Sequence, residues 1–260
     1  MIAAEHLLEL DVGNTRLKWR VRGADLVLDS GAVAYFESGI AVVLQALALE
    51  CSEFKVKKVL IGSVAGSDVN DLVRAWVLGA FYCEPLFAEV TEFSGGVSCA
   101  YREVEKLGVD RWLALLAAHR LFAAGAVVVD CGSAVTVDVL VAGEHQGGYI
   151  VPGFRLLNAS LFKDTSKVKA GFVAPKDFLP GQDTADCVNR GVSLMVLSLV
   201  ERVISSLSER EHDLPVLFTG GDGEMVMAWL LEIGIGNRAD YVADLVLDGL
   251  ELAVCQALVV

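Results

Sequence analysis

A chain of 260 residues with 54% hydrophobic content can bury one large core or two moderate ones, and nothing in its composition points to disorder. The net charge of -13 repels nucleic acid and anionic membrane in bulk, and no basic run offsets it. The longest apolar region, 112–129, is interrupted by His119 and Arg120, so neither half reaches the length of a membrane span.

The N-terminus goes almost at once into strand-like sequence without a basic segment before an apolar one, so no signal peptide and a cytoplasmic location are expected. Six cysteines, at 51, 83, 99, 131, 187 and 255, form no CxxC pair and have no His partner at metal-ligand spacing. This is cysteine usage of a reducing compartment, and a structural zinc is not expected.

In chain order, residues 6–33 predict three short strands with turns at Gly13-Asn14 and Gly23-Ala24. Helices are expected over 40–49 and 69–78, and strands over 57–64 and 86–90, an alternation that suits a layered α/β domain. Residues 93–101 look like a loop, and 111–122 like a helix buried on most sides. A strand closed by Pro152-Gly153, a helix over 156–162 and an irregular stretch over 165–181 come after the next hairpin. Asp183 or Thr184 is placed to cap a long helix running to about Ser206. The chain then gives a short strand over 215–219, a helix over 224–233, a strand near Tyr241-Val242 and a last helix over 245–257.

Three glycine-containing turns stand at strand ends, and they frame the chemistry. In the first, Asp11-Val12-Gly13-Asn14-Thr15-Arg16-Leu17-Lys18, backbone N–H groups can converge on an anion, glycine allows close approach, and the aspartate can hold Mg²⁺. An ordinary hairpin explains the same pattern. The second, Asp130-Cys131-Gly132-Ser133, repeats that grammar 119 residues on and suggests two similar halves. The third runs from Thr219 through Gly220, Gly221 and Asp222 to Gly223. In a two-domain ATP-binding fold the first two would grip phosphates and the third would pass under adenine and ribose. No P-loop and no strand-coupled GxGxxG is present.

Gly108-Val109-Asp110-Arg111-Trp112 lies at a helix entrance. There Asp110 could accept a proton from a substrate hydroxyl while Arg111 supplies a planar cation to a carboxylate or phosphoryl group. The plainer alternative makes Asp110 a dipole-favoured helix residue and puts Arg111 on an exposed face, and the pattern by itself leans that way. His6, His119, His145 and His212 share no spacing suited to catalysis or metal binding.

Taken together, DVGNTRLK at 11–18, GVDRW at 108–112, DCGSAVTVD at 130–138, GGYIVPG at 147–153 and TGGDG at 219–223 resemble the type III pantothenate kinase family. That family, also called Bvg accessory factor, lies within the acetate and sugar kinase, Hsp70 and actin superfamily. The resemblance covers essentially the whole chain. It implies a duplicated actin-like, ribonuclease H-like α/β fold, with two α/β domains around an ATP cleft. The first, 1–124, would hold the first phosphate loop and the catalytic aspartate, and the second, 125–260, the second phosphate loop, the adenosine loop and the dimer contacts.

It also implies pantothenate as substrate, ATP and Mg²⁺ as cofactors, and a homodimer that encloses pantothenate. Asp11 to Lys18 would be the first phosphate loop, with Asp11 as Mg²⁺ partner. Asp110 would be the general base. Tyr101, Gly108, Val109, Arg111 and Thr184 would line the substrate site. Asp130 would bind a monovalent cation, K⁺ or NH₄⁺, Ser133 would face ATP, and Gly220 and Gly221 would lie under the nucleoside. Ser133 stands where the family usually has Thr, which keeps the hydroxyl and loses a methyl group. Two other functions remain open at this point: another small-molecule kinase of the superfamily, or a non-enzymatic regulator such as the family's second name records.

Overall fold

The computed structural model describes residues 5–24, 26–162, 171–208, 213–235 and 238–254. Within it the chain separates into two units, one running to Arg120 and taking in the stretch from Asp244 onward, the other spanning Leu121–Ala243.

The first unit opens with β1 (His6–Val12), β2 (Arg16–Gly23) and β3 (Leu26–Ala34), an antiparallel meander. Next come α1 (Ile40–Glu50), β4 (Val56–Ser63), α2 (Ser67–Phe81) and β5 (Leu86–Phe87). Its sheet has the order β3-β2-β1-β4-β5, with β4 parallel to both of its neighbours. Side chains alternate across β1, so Leu8, Leu10 and Val12 enter one core with Leu17, Trp19 and Val21 of β2. Residues 93–101, expected as loop, carry two short paired strands, β6 (Phe93–Ser94) and β7 (Val97–Ser98). The α3 helix (Val109–Leu121) is buried over nine consecutive or near-consecutive positions, as its all-round apolar sequence predicts.

The second unit contains β8 (Gly125–Cys131), β9 (Ala134–Val141), β10 (Glu144–Pro152), α4 (Phe154–Phe162), α5 (Thr184–Ser208), β11 (Val216–Thr219), α6 (Gly223–Glu232) and β12 (Ala239–Tyr241). Its strands run in the order β10-β9-β8-β11-β12, with β8 antiparallel to β9 and parallel to β11. Strand for strand, this repeats the order and direction of the first unit. Its core gathers Val127, Val129, Phe154, Val196, Val200, Phe218 and Trp229. The backbone N–H of Asp186 donates to Asp183 Oδ1 at 2.8 Å, so Asp183 caps α5. The irregular stretch expected at 165–181 lies partly outside the described residues, as do the last three residues of the expected final helix.

That final helix, α7 (Leu245–Val254), corrects the expected division at 124/125. It returns to the first unit, contacting β1 and β4, and Gly249 crosses α3 so closely that a Cβ there would stand 2.1 Å from the Leu113 carbonyl oxygen. Arg20 and Arg22 on β2 bind Asp248 and Glu251 of α7 at 2.6 and 2.9 Å. Such contacts join residues more than two hundred positions apart, beyond the reach of local periodicity. No described helix is long and apolar enough to cross a membrane.

Candidate functional site

The equivalence of the two units fixes the meaning of their first turns. Asp11, next to last in β1, stands opposite Lys18 on β2 and Gly62 on β4, and Asp130, next to last in β8, stands opposite Thr136 on β9 and Thr219 on β11. Both aspartates therefore occupy equivalent places in two separate sheets, each on the strand flanked by one antiparallel and one parallel neighbour. The offset of the two motifs reflects a repeated unit, where turn chemistry alone left that open.

In the first unit the turn closes tightly. Gly13 N–H donates to the Arg16 carbonyl at 3.0 Å, and a Cβ on Gly13 would come within 3.2 Å of the same oxygen. Asn14 and Arg16 are exposed, and Asp11, Thr15 and Lys18 are half-buried. Val12 and Leu17 have side chains in the core, so their contribution to a ligand is limited to backbone. Tyr35, which the sequence reading passed over, donates its hydroxyl to the Gly13 carbonyl and its N–H to the Thr15 carbonyl, the latter at 3.0 Å.

Asp110 lies in the first turn of α3, where the helix dipole favours a carboxylate, and its Oδ1 accepts the Arg111 N–H at 2.8 Å. Gly108 leaves the space this carboxylate uses, since a Cβ there would stand 2.5 Å from Asp110 Oδ1. The expectation of an exposed Arg111 fails: the residue is 6% accessible. Its Nη1 donates to the Tyr101 hydroxyl at 2.8 Å, and its guanidinium carbon lies 5.6 Å from the centre of the Tyr101 ring. A guanidinium oriented by a hydroxyl and an aromatic face is of a kind that suits a planar anion such as a carboxylate. Val109 packs its side chain into the protein.

In the second unit, two turns meet. Gly220 adopts φ +82°, and a Cβ on it would stand 2.4 Å from Asp130 Oδ1 and 2.5 Å from the Cys131 carbonyl oxygen. Asp222 N–H donates to that Cys131 carbonyl at 3.0 Å, and the Tyr241 hydroxyl donates to the Gly220 carbonyl at 3.1 Å. The turn of Gly132 and Ser133 is braced by Gly153, whose N–H donates to the Ser133 carbonyl at 3.0 Å and whose Cβ would stand 2.3 Å from the Gly132 carbonyl oxygen. Gly221 is exposed. Thr184, exposed at the first turn of α5, lines an open cavity of about 760 Å³ with Leu161, Cys187, Val188 and Met195.

Burial, then the charges of Asp130 and Asp222, push the Cys131 thiol far up, and burial pushes the Cys51 thiol up to about 12. The thiolate is the reactive form, so neither residue is a nucleophile near neutrality. Native alkylation at pH 8 followed by peptide mass spectrometry should label exposed Cys187 and spare Cys51 and Cys131. Labelling of Cys131 at the rate of Cys187 would contradict this.

Two copies of one sheet order, each with an Asp-x-Gly turn at the strand where the sheet changes direction, define the actin-like class of ATP-binding folds. Solved structures agree on the fold. A Baf family protein from Campylobacter jejuni matches with a TM-score of 0.59 at 21% identity, covering 97% of this chain and all of its own. MreB 5 of Spiroplasma citri, bound to AMPPNP, matches with a TM-score of 0.52 at 10% identity over 94% of each chain. The family model described as type III pantothenate kinase matches residues 7–206. A type III pantothenate kinase of Alcanivorax borkumensis is 35% identical over 250 residues, 94% of this chain and 97% of that protein. The chain belongs to the type III pantothenate kinase family.

Membership implies ATP and a divalent metal, and the first turn fits both. Asp11 is a hard, partly accessible oxygen donor beside a glycine cradle and two small polar residues. Among the described residues no three His, Cys, Asp or Glu side chains gather into a metal cluster. A nucleotide-bound Mg²⁺ asks for less, since one or two carboxylates and the substrate phosphates suffice.

Proposed function

We propose that this chain transfers the γ-phosphoryl group of ATP to the primary hydroxyl of pantothenate, giving 4'-phosphopantothenate in the first step of coenzyme A biosynthesis. The observation that carries the reading is the start of α3, where a carboxylate in the first helical turn adjoins a buried arginine fixed by Tyr101.

In this reading the N–H groups of Asn14 and Thr15 and the Lys18 ammonium hold phosphate oxygens, and Gly220 and Gly221 offer a surface without side chains to the nucleoside. Asp11 would hold Mg²⁺, which when bound neutralises phosphate charge. Asp130 and neighbouring carbonyls form an all-oxygen donor set suited to K⁺ or NH₄⁺. Arg111, with Tyr101 orienting it, binds the pantothenate carboxylate. Gly108 and Val109 shape the same pocket. Asp110 takes the hydroxyl proton as the hydroxyl oxygen bonds to the γ-phosphorus. The bond from that phosphorus to the bridging oxygen breaks, and ADP leaves. Ser133 faces ATP through its hydroxyl.

Thr184 completes the pantothenate site in a homodimer. Support comes from exposed apolar side chains on the second unit, including Ile150, Leu156, Leu161, Leu179 and Met195, of which Leu161 and Met195 line the Thr184 cavity. Light scattering coupled to size exclusion should give twice the chain mass. A cytoplasmic location belongs to the same reading, and the five described cysteines, all free, are compatible with it.

Purified chain with ATP and Mg²⁺ should form ADP and phosphopantothenate from pantothenate, with turnover lost when K⁺ is withheld and regained when it is restored. Phosphorylation of a sugar and not of pantothenate would overturn the substrate, and turnover indifferent to K⁺ would overturn the cation assignment.

A further inference from the structure

Two tyrosines outside every motif considered above hold the glycines of the two nucleotide turns by the same contact. Tyr35 comes just after β3 and is buried. Its hydroxyl donates to the Gly13 carbonyl, while its own N–H donates to Thr15 and its carbonyl accepts from Gly39 N–H at 2.8 Å. Tyr241 ends β12. Its hydroxyl donates to the Gly220 carbonyl at 3.1 Å, and its ring lies 3.2 Å from where a Cβ on Gly223 would be.

A peptide unit is planar and trans, so its carbonyl and the following N–H point in opposite directions. Pinning the Gly13 carbonyl therefore sets the direction of the Asn14 N–H, and pinning the Gly220 carbonyl sets that of the Gly221 N–H. Glycine permits backbone orientations that other residues resist, so these peptide planes are the ones most in need of an external bond. The two units thus use an equivalent device at separate places. Burial and then the Asp11 charge push the Tyr35 phenol up, so its hydroxyl keeps the proton it donates.

We infer that Tyr35 and Tyr241 are positioning residues for the nucleotide: Tyr35 orients the turn that takes the phosphates, and Tyr241 the turn that lies under the nucleoside. This rests on the reading of these turns as nucleotide loops. Neither residue touches the reacting atoms.

The test is Tyr35→Phe and Tyr241→Phe, each keeping the ring and losing one hydroxyl, with thermal melting to verify the fold. Each variant should raise KM for ATP about 3- to 10-fold, the range of one lost hydrogen bond. The KM for pantothenate and kcat should stay within about twofold. Calorimetric titration with ATP, ADP and AMP separates the roles: Tyr35→Phe should weaken ATP and ADP more than AMP, and Tyr241→Phe should weaken all three alike. Unchanged nucleotide affinity in both variants overturns the inference, as does a parallel rise in both KM values with a lowered melting temperature. Because calorimetry needs no turnover, weakened binding in a chain that fails to phosphorylate pantothenate would sink the proposed function and leave the tyrosine assignment standing.

Discussion

Asp110→Asn should lower kcat for pantothenate by about 10²- to 10⁴-fold, the usual cost of removing one positioned base. The substitution is nearly isosteric. Asparagine keeps an oxygen that can accept the Arg111 N–H now bound at 2.8 Å, so the helix start should persist and the affinity for ATP should stay within about twofold. What disappears is the capacity to take the proton of the attacking hydroxyl. Phosphoryl transfer depends on orientation as much as on proton removal, which keeps some residual rate. An ADP-release assay at saturating ATP, paired with nucleotide titration of the same preparation, checks both halves. Activity within about fivefold of the parent would show that Asp110 is not the base. Gly108 gives an independent view of the same carboxylate, because any side chain there meets Asp110 Oδ1.

Much of the fold was legible because its elements are short and strongly patterned. The helices at 40–50, 109–121 and 184–208 and the strands at 56–63 and 216–219 fall within a few residues of their expected places. The repeat was visible in two Asp-x-Gly turns and gained its meaning from the strand order, which no local pattern contains. Less visible were features made by distant parts of the chain. The strand expected at 86–90 is regular over Leu86–Phe87 alone, and its contact with β4 ends at Ala88, whose N–H donates to the Ile61 carbonyl at 2.7 Å. The α7 helix reads from sequence as the end of the second half, yet Asp248 and Glu251 face arginines of β2.

The site divides the same way. The turns that carry the candidate glycines and aspartates were legible because turns require particular residue types. Arg111 was open to an exposed reading because helix periodicity says nothing of a tyrosine ten residues earlier that holds the guanidinium. Tyr35 and Tyr241 carried only the weak signal of an aromatic at a strand end. Ser133 contributes its backbone carbonyl to the Gly153 contact, so a change of side chain from Thr to Ser leaves that brace intact.

Glu9→Ala should destabilise the first unit by about 3 kcal/mol, the low end of what breaking a buried ion pair costs. Glu9 is fully buried on β1, opposite Arg20 on β2, and accepts its Nε–H. Arg22 approaches the other carboxylate oxygen at 3.3 Å. Burial opposes the Arg20 charge, and the bonds to Glu9 and Asp248 outweigh it, holding the guanidinium above its ordinary range. Without Glu9, Arg20 would stay enclosed with Asp248 at 2.6 Å and Asp244 at 3.9 Å as its carboxylates, 28% and 41% accessible and so partly screened. For a chain of this size the loss corresponds to a melting temperature lower by roughly 6–12 °C. Replacing both partners, Glu9→Leu with Arg20→Met, should recover most of it, because the penalty lies in the charge left behind and not in the absence of a pair. A double variant as unstable as Glu9→Ala would refute that account. The strand register relates this pair to the first turn: Glu9 and Asp11 share one face of β1, as Arg20 and Lys18 share one face of β2, so the buried pair stands one step behind the turn proposed to take the phosphates.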